Sequence, residues 1–389
     1  NLNSWDVSNV TDMSGVFNGA YNFNQPLNNW DVSSASVMES MYRYATSFNQ
    51  NLNSWDVSSV TDMHGMFSNA TLYNSNISSW DMSSVDNVSG MFSNASSFNQ
   101  DIGSWNVSSV TVMHDMFEDA TAFNQDLNSW NVSNANNMND IFRGATSFNG
   151  AIGNWDISTA THIYGMFNGA TSFNQDIGSW NLSNIANTSL MFHGATSFNQ
   201  NLNSWDVSGV TTMFKMFNKA TSFNQNLNSW DVSSVTDMTD MFNEANVFNQ
   251  DISSWCVTNF FSEPTGFSTN SSLIESNKPV WSTCPATRTP ITDGNFRSAI
   301  ETCLTTNPVD GMCSDSEYGA IPDWDVSNVT NMEDTFLYKE NFNGDISNWD
   351  VSNVTNMYYM FNNSSFFNQD IGSWDVSNVT TMEAMFGEA

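Results

Sequence analysis

The chain has 389 residues, of which 40% are apolar and only 12% are charged. It contains no continuous apolar run near the length of about 18 residues that marks a membrane-spanning helix. Forty Asp and Glu against eight Lys and Arg give a net charge of −32, which argues against nucleic acid or an anionic membrane as a partner.

Tryptophan recurs every 25 residues along most of the chain. It stands at positions 5, 30, 55, 80, 105, 130, 155, 180, 205, 230 and 255, and the spacing resumes with Trp324, Trp349 and Trp374. Other types keep the same period: an aromatic residue seven before the tryptophan, Leu or Ile three before it, and usually Met eight and eleven after it. Such a period indicates stacked repeats, because one repeat of this size cannot bury its apolar side alone.

Two apolar spacings follow one another within a repeat. Ile177-x-x-Trp180-x-Leu182 alternates as a strand does, whereas Val210-x-x-Met213-x-x-Met216 steps by three as a helical or 3₁₀ turn does. We therefore predict one short parallel β-strand at the Trp-x-Val step and one short helical turn per 25-residue repeat. Strands of successive repeats would pair about 4.8 Å apart, with the apolar columns pointing inward.

An asparagine lies six residues before nearly every tryptophan. Its amide can bond backbone groups at its own corner and in the neighbouring repeat, where an unpaired buried group costs about 1–3 kcal/mol. We interpret this column as a structural ladder rather than a ligand site. Its members in the first run of repeats are Asn24, Asn49, Asn74, Asn99, Asn124, Asn149, Asn174, Asn199, Asn224 and Asn249.

The residue after the tryptophan is Asp in most repeats and Asn in a few. We expect an Asx turn, in which the side chain accepts the backbone N–H two residues on, where a Ser usually stands. The alternative is Ca²⁺ bridging between repeats, since neighbouring carboxylates repel. Its weak candidates are Asp6, Asp31, Asp56 and Asp81. The Asn substitutions favour the Asx turn, so we predict no metal site and no cofactor beyond weakly bound Ca²⁺.

The period breaks between Trp255 and Trp324, where six of the seven prolines and all four cysteines lie. We expect a first stack of about eleven repeats at 1–255, a closing cap at 256–287, a linker and opening cap at 288–320, and the start of a second stack at 321–389. The proline-bounded stretch 285–290 would be a stiff linker. In the opening cap, Phe296, Ile300 and Leu304 step by four, which predicts a helix with Asp293 as its N-cap.

Four cysteines allow three disulfide connectivities. We prefer Cys256–Cys284, which would hold the closing cap to the last repeat, and Cys303–Cys313, which would close the loop after the helix. The alternative is four free thiols in a reducing compartment. Disulfides would suit an exported protein.

The chain shows no signs of catalysis. His64, His114, His162 and His193 occupy three different positions of the repeat, so they do not stack into a metal site. Metal-binding, phosphate-binding and nucleophile motifs do not occur in the sequence. A column of like residues spreads along a line, whereas catalysis needs unlike residues at one point. We therefore expect a protein that is not an enzyme.

Asn-x-Ser/Thr sequons recur in fixed positions of the repeat, where we expect outward side chains. In a protein secreted by a eukaryote some would carry N-linked glycans. Glycans on neighbouring repeats would crowd one another, so isolated sequons should be favoured over strict neighbours. The candidates are Asn9, Asn69, Asn94, Asn106, Asn131, Asn270, Asn328, Asn353 and Asn378.

The pattern I-x-x-W-x-V-S-x-V-T-x-M-x-x-M-F-x-x-A-T-S-F-N-Q resembles the BspA-like leucine-rich repeats of bacterial surface proteins. It is most similar to the 25-residue variant of mycoplasma surface lipoproteins and of large secreted proteins of algae and marine microbes. The resemblance implies a leucine-rich-repeat solenoid that is extracellular or on the cell surface, with a role in adhesion or structure and no shared catalytic residues. Tryptophan stands here at a strand position where such repeats usually carry Leu or Ile.

Two hypotheses for the function remain. The first is a structural element, a segment of a longer glycosylated filament or cell coat that contacts copies of itself or its own continuing chain. The second is an adhesin that binds a protein or glycan through one solenoid face. An adhesin should show a variable patch, and the exposed positions vary mildly, which favours the structural element. Repeats without caps at both chain ends lead us to expect a window of a longer protein.

Overall fold

The computed structural model describes residues 2–285, 291–313 and 316–389. The chain divides into two compact units, Asn1–Cys284 and Pro285–Ala389. The described helices are the α-helix α1 (Phe296–Thr306) and three 3₁₀ helices at Leu2–Ser4, Glu275–Asn277 and Ile321–Asp323. None of them combines the length and apolarity needed to cross a membrane. The predicted linker 285–290 lies outside the described residues except for its first residue.

Successive repeats pair through single parallel bridges rather than through strands. The series begins Asp12↔Val37 and Val37↔Asp62, at the seventh residue after each tryptophan, and no described residue belongs to a β-strand. The strand predicted at the Trp-x-Val step is therefore wrong. There the backbone closes on itself, since the N–H of Trp55 donates to the carbonyl of Leu52 at 3.0 Å. The bond to the preceding repeat comes instead from the indole N–H of Trp55.

The stretch after the bridge is not the predicted helical turn. Its backbone bonds alternate between closures within the repeat and bonds to the next repeat. Met66 donates to Met63 at 3.1 Å, whereas Gly65 donates to Ser89 of the next repeat at 2.8 Å. Left-handed residues ten and fourteen after the tryptophan, such as Gly65 (φ 58°) and Asn69 (φ 59°), make this alternation possible. The result is a ladder of parallel backbone hydrogen bonds between repeats.

The apolar columns form a continuous core in the first unit. The rings of equivalent residues stack: Trp80 and Trp105 lie 6.3 Å apart, and Phe92 and Phe117 lie 5.7 Å apart. Trp80 is only 3% exposed. The prediction that these columns point inward is confirmed, and the three-residue step after the bridge does place Met and Phe in the core.

Residues 256–284 form an irregular last layer of the first unit. Among the described residues the parallel bridges end at Asp237 and resume at Asn331, but backbone bonds between layers continue for one layer beyond the last regular repeat. Phe242 donates to the carbonyl of Phe267 at 2.8 Å, so residues beyond the last regular repeat still accept ladder bonds. The stacked columns do end here, because the ring of Phe267 meets Phe242 and Trp281 edge-on, at 90° and 83°.

The second unit begins with α1, whose Phe296, Ile300 and Leu304 are buried as predicted. The predicted N-cap is wrong: the cap residue is Asn295, which makes no side-chain cap bond. Asp293 instead accepts the N–H groups of Thr330 and Asn331 at 2.7 and 3.1 Å. In a regular repeat, the carbonyl of the preceding repeat accepts this bond, so Asp293 takes the place of a missing repeat.

Candidate functional site

The asparagine column forms a ladder between repeats. The side-chain oxygen of Asn99 accepts the backbone N–H of Asn124 at 2.9 Å and the side-chain amide of Gln125 at 2.8 Å. The same bond joins Asn24 to Asn49 at 3.0 Å. The amide oxygens of this column are therefore engaged in joining neighbouring repeats, as the structural interpretation requires.

The Asp row after the tryptophans folds into Asx turns. The carboxylate of Asp56 accepts the N–H and the hydroxyl of Ser58 at 3.1 and 2.6 Å. Asn106 makes the same two bonds with Ser108 at 3.2 and 2.7 Å. The hydroxyl of Ser83, followed by its N–H, lowers the pKa of the Asp81 carboxyl. The described residues contain no group of three or more His, Cys, Asp and Glu that could hold a metal.

The predicted sequons differ in how far their side-chain nitrogen, the atom that would carry a glycan, is available. Asn69 and Asn94 are half-buried, and each nitrogen donates to the preceding serine at 3.0 Å, so these two nitrogens are already engaged in hydrogen bonds. Asn353 and Asn378 are exposed, but each nitrogen donates to a carbonyl of the preceding repeat. The other candidates are exposed: Asn9, Asn106, Asn131, Asn270 and Asn328.

All four cysteines are paired. The disulfides are Cys256–Cys284 and Cys303–Cys313, which are the two pairings preferred from the sequence. The first bond closes the irregular last layer of the first unit. The second joins α1 to the segment before the second run of repeats.

Side chains at five positions of the backbone ladder form a surface that the sequence did not reveal; most are at least partly exposed, and small ones such as Ser89 and Asn218 are buried. We call it the ladder face: the side chains seven, nine, ten, thirteen and fourteen residues after each tryptophan of the first unit. Every histidine of the chain lies on it, and so does every Lys and Arg before Trp255. They are Arg43, His64, His114, Arg143, His162, His193, Lys215 and Lys219. Alignment of the repeats position by position reveals that the cations and histidines share these positions, whereas a count of exposed residue types along the whole chain does not.

One part of the ladder face is mainly acidic. Arg143 pairs with Glu118 at 3.0 Å, and His114 lies 2.9 Å from Asp115. Asp140, in the following repeat, has a pKa raised to about 6, first by burial and then by the charge of Asp115. The single guanidinium group of Arg143 therefore does not compensate for the mutual repulsion of the acidic side chains in this part of the face.

A second part carries the two lysines of the first run of repeats. Lys215 lies 3.7 Å from Asp240, and Lys219 lies 3.9 Å from Glu244. Beside them, His193 has a lowered pKa, mainly because it is half-buried and then because both lysines are near. These long ion pairs leave hydrogen-bonding capacity on both ammonium groups.

The ladder face also holds large side chains in left-handed backbone. Leu190 (φ 59°) and Lys215 (φ 55°) occupy the position where other repeats have Gly65, Gly90 or Gly165. A side chain in this conformation costs about 1–2 kcal/mol relative to glycine. Non-glycine residues adopt the same left-handed conformation at this position in other repeats, such as Ser40, Asp115 and Asp240, so the conformation belongs to the repeat itself.

Comparison with known proteins gives one family and one distant structure. The family model described as "Mycoplasma protein of unknown function, DUF285" matches residues 1–95, 72–180, 161–280 and 309–389. No curated protein matches the chain. Among solved structures, the crystal structure of a TLR13–ssRNA13 complex is similar at 12% identity and a TM-score of 0.17. The match covers 64% of this chain and 50% of that one, so this chain spans half the length of its structural neighbour.

Proposed function

The chain belongs to the Mycoplasma repeat family DUF285, and on this premise we propose that it is a non-enzymatic binding scaffold whose ladder face contacts a partner outside the cell. The repeats supply a rigid stack, and the outward side chains of the ladder supply the contacts. This is the adhesin hypothesis, which we ranked second on the sequence alone.

The distribution of variable residues carries the proposal. Position nine after the tryptophan holds His114, Asn139, Tyr164, Ser189 and Phe214 in five successive repeats, while the Trp, Asn and Asp columns repeat nearly unchanged. Solenoid proteins generally bind through one extended face whose residues differ between repeats while the core repeats. Variation is largest on this face, although exposed positions elsewhere also vary, as Leu72 and Val247 show, and such a concentration of variable residues is the pattern expected of a binding surface.

We also propose the finer classification as a BspA-like leucine-rich-repeat solenoid at the cell surface. It is supported by the buried Leu or Ile three residues before most of the repeat tryptophans and by the parallel pairing of repeats. Two disulfides are compatible with export, because such bonds persist in oxidising compartments. N-linked glycans and weakly bound Ca²⁺ remain proposals of the same kind.

A structural role in a filament or coat is the second candidate. It is favoured by the way in which Asp293 and Arg297 satisfy the first repeats of the second unit. Asp293 accepts two backbone N–H groups there, and Arg297 donates to the carbonyl of Glu333 at 3.3 Å. The second run of repeats has its own starting layer, as expected of a chain that contains several successive stacks. Such a chain would associate with copies of itself.

The two candidates predict different outcomes for paired substitutions. The purified chain is applied to an array of extracellular-matrix proteins and polysaccharides, and each hit is repeated with two variants. One variant changes the ladder face (Lys215→Gln with Arg143→Gln), and the other changes the Asp row (Asp56→Asn with Asp81→Asn). We expect only the ladder-face variant to lose binding. Unchanged binding by that variant, together with concentration-dependent growth in sedimentation, would instead support the filament.

A further inference from the structure

The series of parallel bridges between Asp12 and Asp237 has one gap. Parallel bridges join Asn137 to His162 and Asn187 to Thr212, but within the described residues no bridge joins His162 to Asn187. The buried indole N–H of Trp180, in the same pair of repeats, has no acceptor. Equivalent groups in neighbouring repeats donate to a carbonyl of the preceding repeat at 2.8 and 3.0 Å.

The core and the ladder face change at the same place. Thr188 occupies a core position that holds Met, Val or Ile in the other repeats of the first run, and its hydroxyl donates to the carbonyl of Thr212 at 3.3 Å. Two residues later, Leu190 adopts left-handed backbone. The Nδ1 atom of His193 and the Oδ1 atom of Asn218 are buried without a hydrogen bond of ordinary geometry, although the side chain of Asn218 lies near enough to His193 to act on its pKa. Local departures from an otherwise consistent pattern are expected where function opposes stability.

The side chains above this region combine aromatic rings with cations. Tyr164 and Phe214 occupy the same position two repeats apart, and Ser189 between them is only 4% exposed. The ammonium group of Lys215 lies 4.9 Å from the centroid of the Phe214 ring. Lys219 lies on the same repeat with half of its side chain exposed. We call this surface the cationic patch: Tyr164, Leu190, His193, Phe214, Lys215 and Lys219.

A partner must recognise this patch through side chains. The ladder groups of the backbone are already paired: Leu190 donates to the carbonyl of Phe214 at 2.9 Å, and Lys215 donates to that of Thr239 at 3.0 Å. An added β-strand would need unpaired backbone groups at an edge, and none is offered at these positions. This excludes main-chain addition of a peptide as the binding mode here.

The positive charge of the two lysines favours a negatively charged partner. The chain carries −32 overall, so an anion is repelled by most of the surface, and Lys215 and Lys219, which share one repeat and both lie near His193, offer two cations in one region. Their ion pairs, at 3.7 and 3.9 Å, are long and partly exposed, and pairs of this kind contribute little. The rings and Leu190 beside the ammonium groups fit a ligand that alternates apolar faces with anionic groups.

We propose that the cationic patch binds an anionic polysaccharide, one that carries sulfate or carboxylate groups. Sugar rings would lie against Tyr164 and Phe214, and the anionic groups would accept hydrogen bonds from the two lysines. This inference rests on the proposed binding function of the ladder face and specifies its partner.

The test is calorimetric titration of the intact chain with heparin, polygalacturonate and neutral dextran, each at low and at high salt. We expect heparin, polygalacturonate or both to bind, and dextran not to bind. The double variant Lys215→Gln/Lys219→Gln should lower that affinity about tenfold or more, with a smaller loss at high salt. Phe214→Ala should weaken binding at both salt concentrations, because it removes a ring contact rather than a charge.

The matched control is Lys339→Gln, which removes a cation of the second unit, outside the ladder face, and should leave the affinity unchanged. Urea unfolding of each variant shows that the stack is intact. Equal binding of dextran, or unchanged affinity in the lysine variant, would overturn the proposal. Binding of polyglutamate but of no polysaccharide would make the partner an acidic protein, which overturns this inference while keeping the ladder face as the binding surface.

Discussion

Trp130 is stacked between Trp105 and Trp155, at 6.5 and 6.3 Å, and its column does not vary. On the ladder face, in contrast, the position nine residues later changes from His114 to Asn139 in successive repeats. The difference lies in which atoms join the repeats. On the tryptophan side they are side-chain atoms, and on the ladder face they are backbone atoms. A side chain that must bond its own copy one repeat away cannot change, whereas a backbone bond tolerates any side chain.

Three columns show the first arrangement. The indole N–H of Trp130 donates to the carbonyl of Ile102 at 3.0 Å. The side-chain oxygen of Asn124 accepts the N–H of Asn149 at 2.8 Å, and the hydroxyl of Thr171 donates to a carbonyl of the preceding repeat at 3.1 Å. Each substitution there breaks a bond between repeats as well as a packing contact. The residue type therefore stays the same from repeat to repeat at positions where side chains make the hydrogen bonds between repeats.

The largest effect should come from a tryptophan in mid-stack. Trp130→Ala removes two stacking contacts and one hydrogen bond and leaves a cavity, so the free energy of unfolding should fall by about 3–5 kcal/mol. Glu39→Ala, on the exposed ladder face, should change it by less than about 0.5 kcal/mol. Urea unfolding followed by circular dichroism measures both. Similar losses in the two variants would contradict the distinction between the two sides.

Tyr73→Phe tests a core column that departs from its pattern. The hydroxyl groups of Tyr42 and Tyr73 are buried without a hydrogen-bond partner, and burial raises the pKa of both. Most equivalent residues are Phe, so Tyr73→Phe should raise the free energy of unfolding by about 1–2 kcal/mol. Tyr164→Phe, on the ladder face, is the matched control and should be nearly neutral. A destabilised Tyr73→Phe protein would show that this hydroxyl has a partner in the core.

Asn124→Ala tests the side-chain ladder directly. It leaves the N–H of Asn149 without its acceptor in a position that water reaches, so the expected loss is about 1 kcal/mol. Asn124→Asp keeps an acceptor oxygen and should restore most of the stability at neutral pH. Hydrogen exchange at the Asn149 amide gives a local readout. If this amide exchanges equally slowly in the alanine variant, the bond between repeats is not made by the side chain.

The smallest effect depends on pH. Asp140 has a folded pKa of about 6 against an ordinary value of 3.8, so the folded state holds its proton more tightly. Ionisation of Asp140 therefore costs more in the folded than in the unfolded state, so the protein becomes less stable as the pH rises from 3.8 to about 6. Asp140→Asn should therefore stabilise the protein above about pH 6 by about 1 kcal/mol, after a reduction for partial exposure, and should have little effect below pH 4.

Asp81 provides the opposite case for this measurement. Its pKa is lowered by the hydroxyl and the N–H of Ser83, so its contribution is present above the ordinary pKa and is lost as the pH falls through the folded value. Asp81→Asn should show no gain at neutral pH. Urea midpoints of both variants across the acid range check the two signs, and a gain of equal size in both would contradict the assignment of the Asp140 shift to its crowded surroundings.

Much of the molecule follows from periodic spacing. Burial of the Trp, Phe and Met columns is predictable because residues of one type at one interval must stack when repeats stack. The Asx turns are predictable because Asp56 and Ser58 are two residues apart, and the helical face of Phe296, Ile300 and Leu304 is equally local. The two disulfides were preferred among three possible connectivities, because Cys256 adjoins the last regular tryptophan and Cys303 lies in the predicted helix ten residues before Cys313. In each case the deciding contact is short in sequence or is repeated by the period.

Only the tertiary structure decided where the repeats join and which surface stays variable. Left-handed residues such as Leu190 and Asn69 turn alternate peptide groups towards the next repeat. Residue preferences do not predict leucine in that conformation. Asp293 could not be placed from sequence because its partners, Thr330 and Asn331, lie more than one repeat away. The sequence by itself determined the period and the core, since both depend on side-chain type. The ladder face depends on the direction of backbone hydrogen bonds, which becomes defined only when one repeat lies against the next.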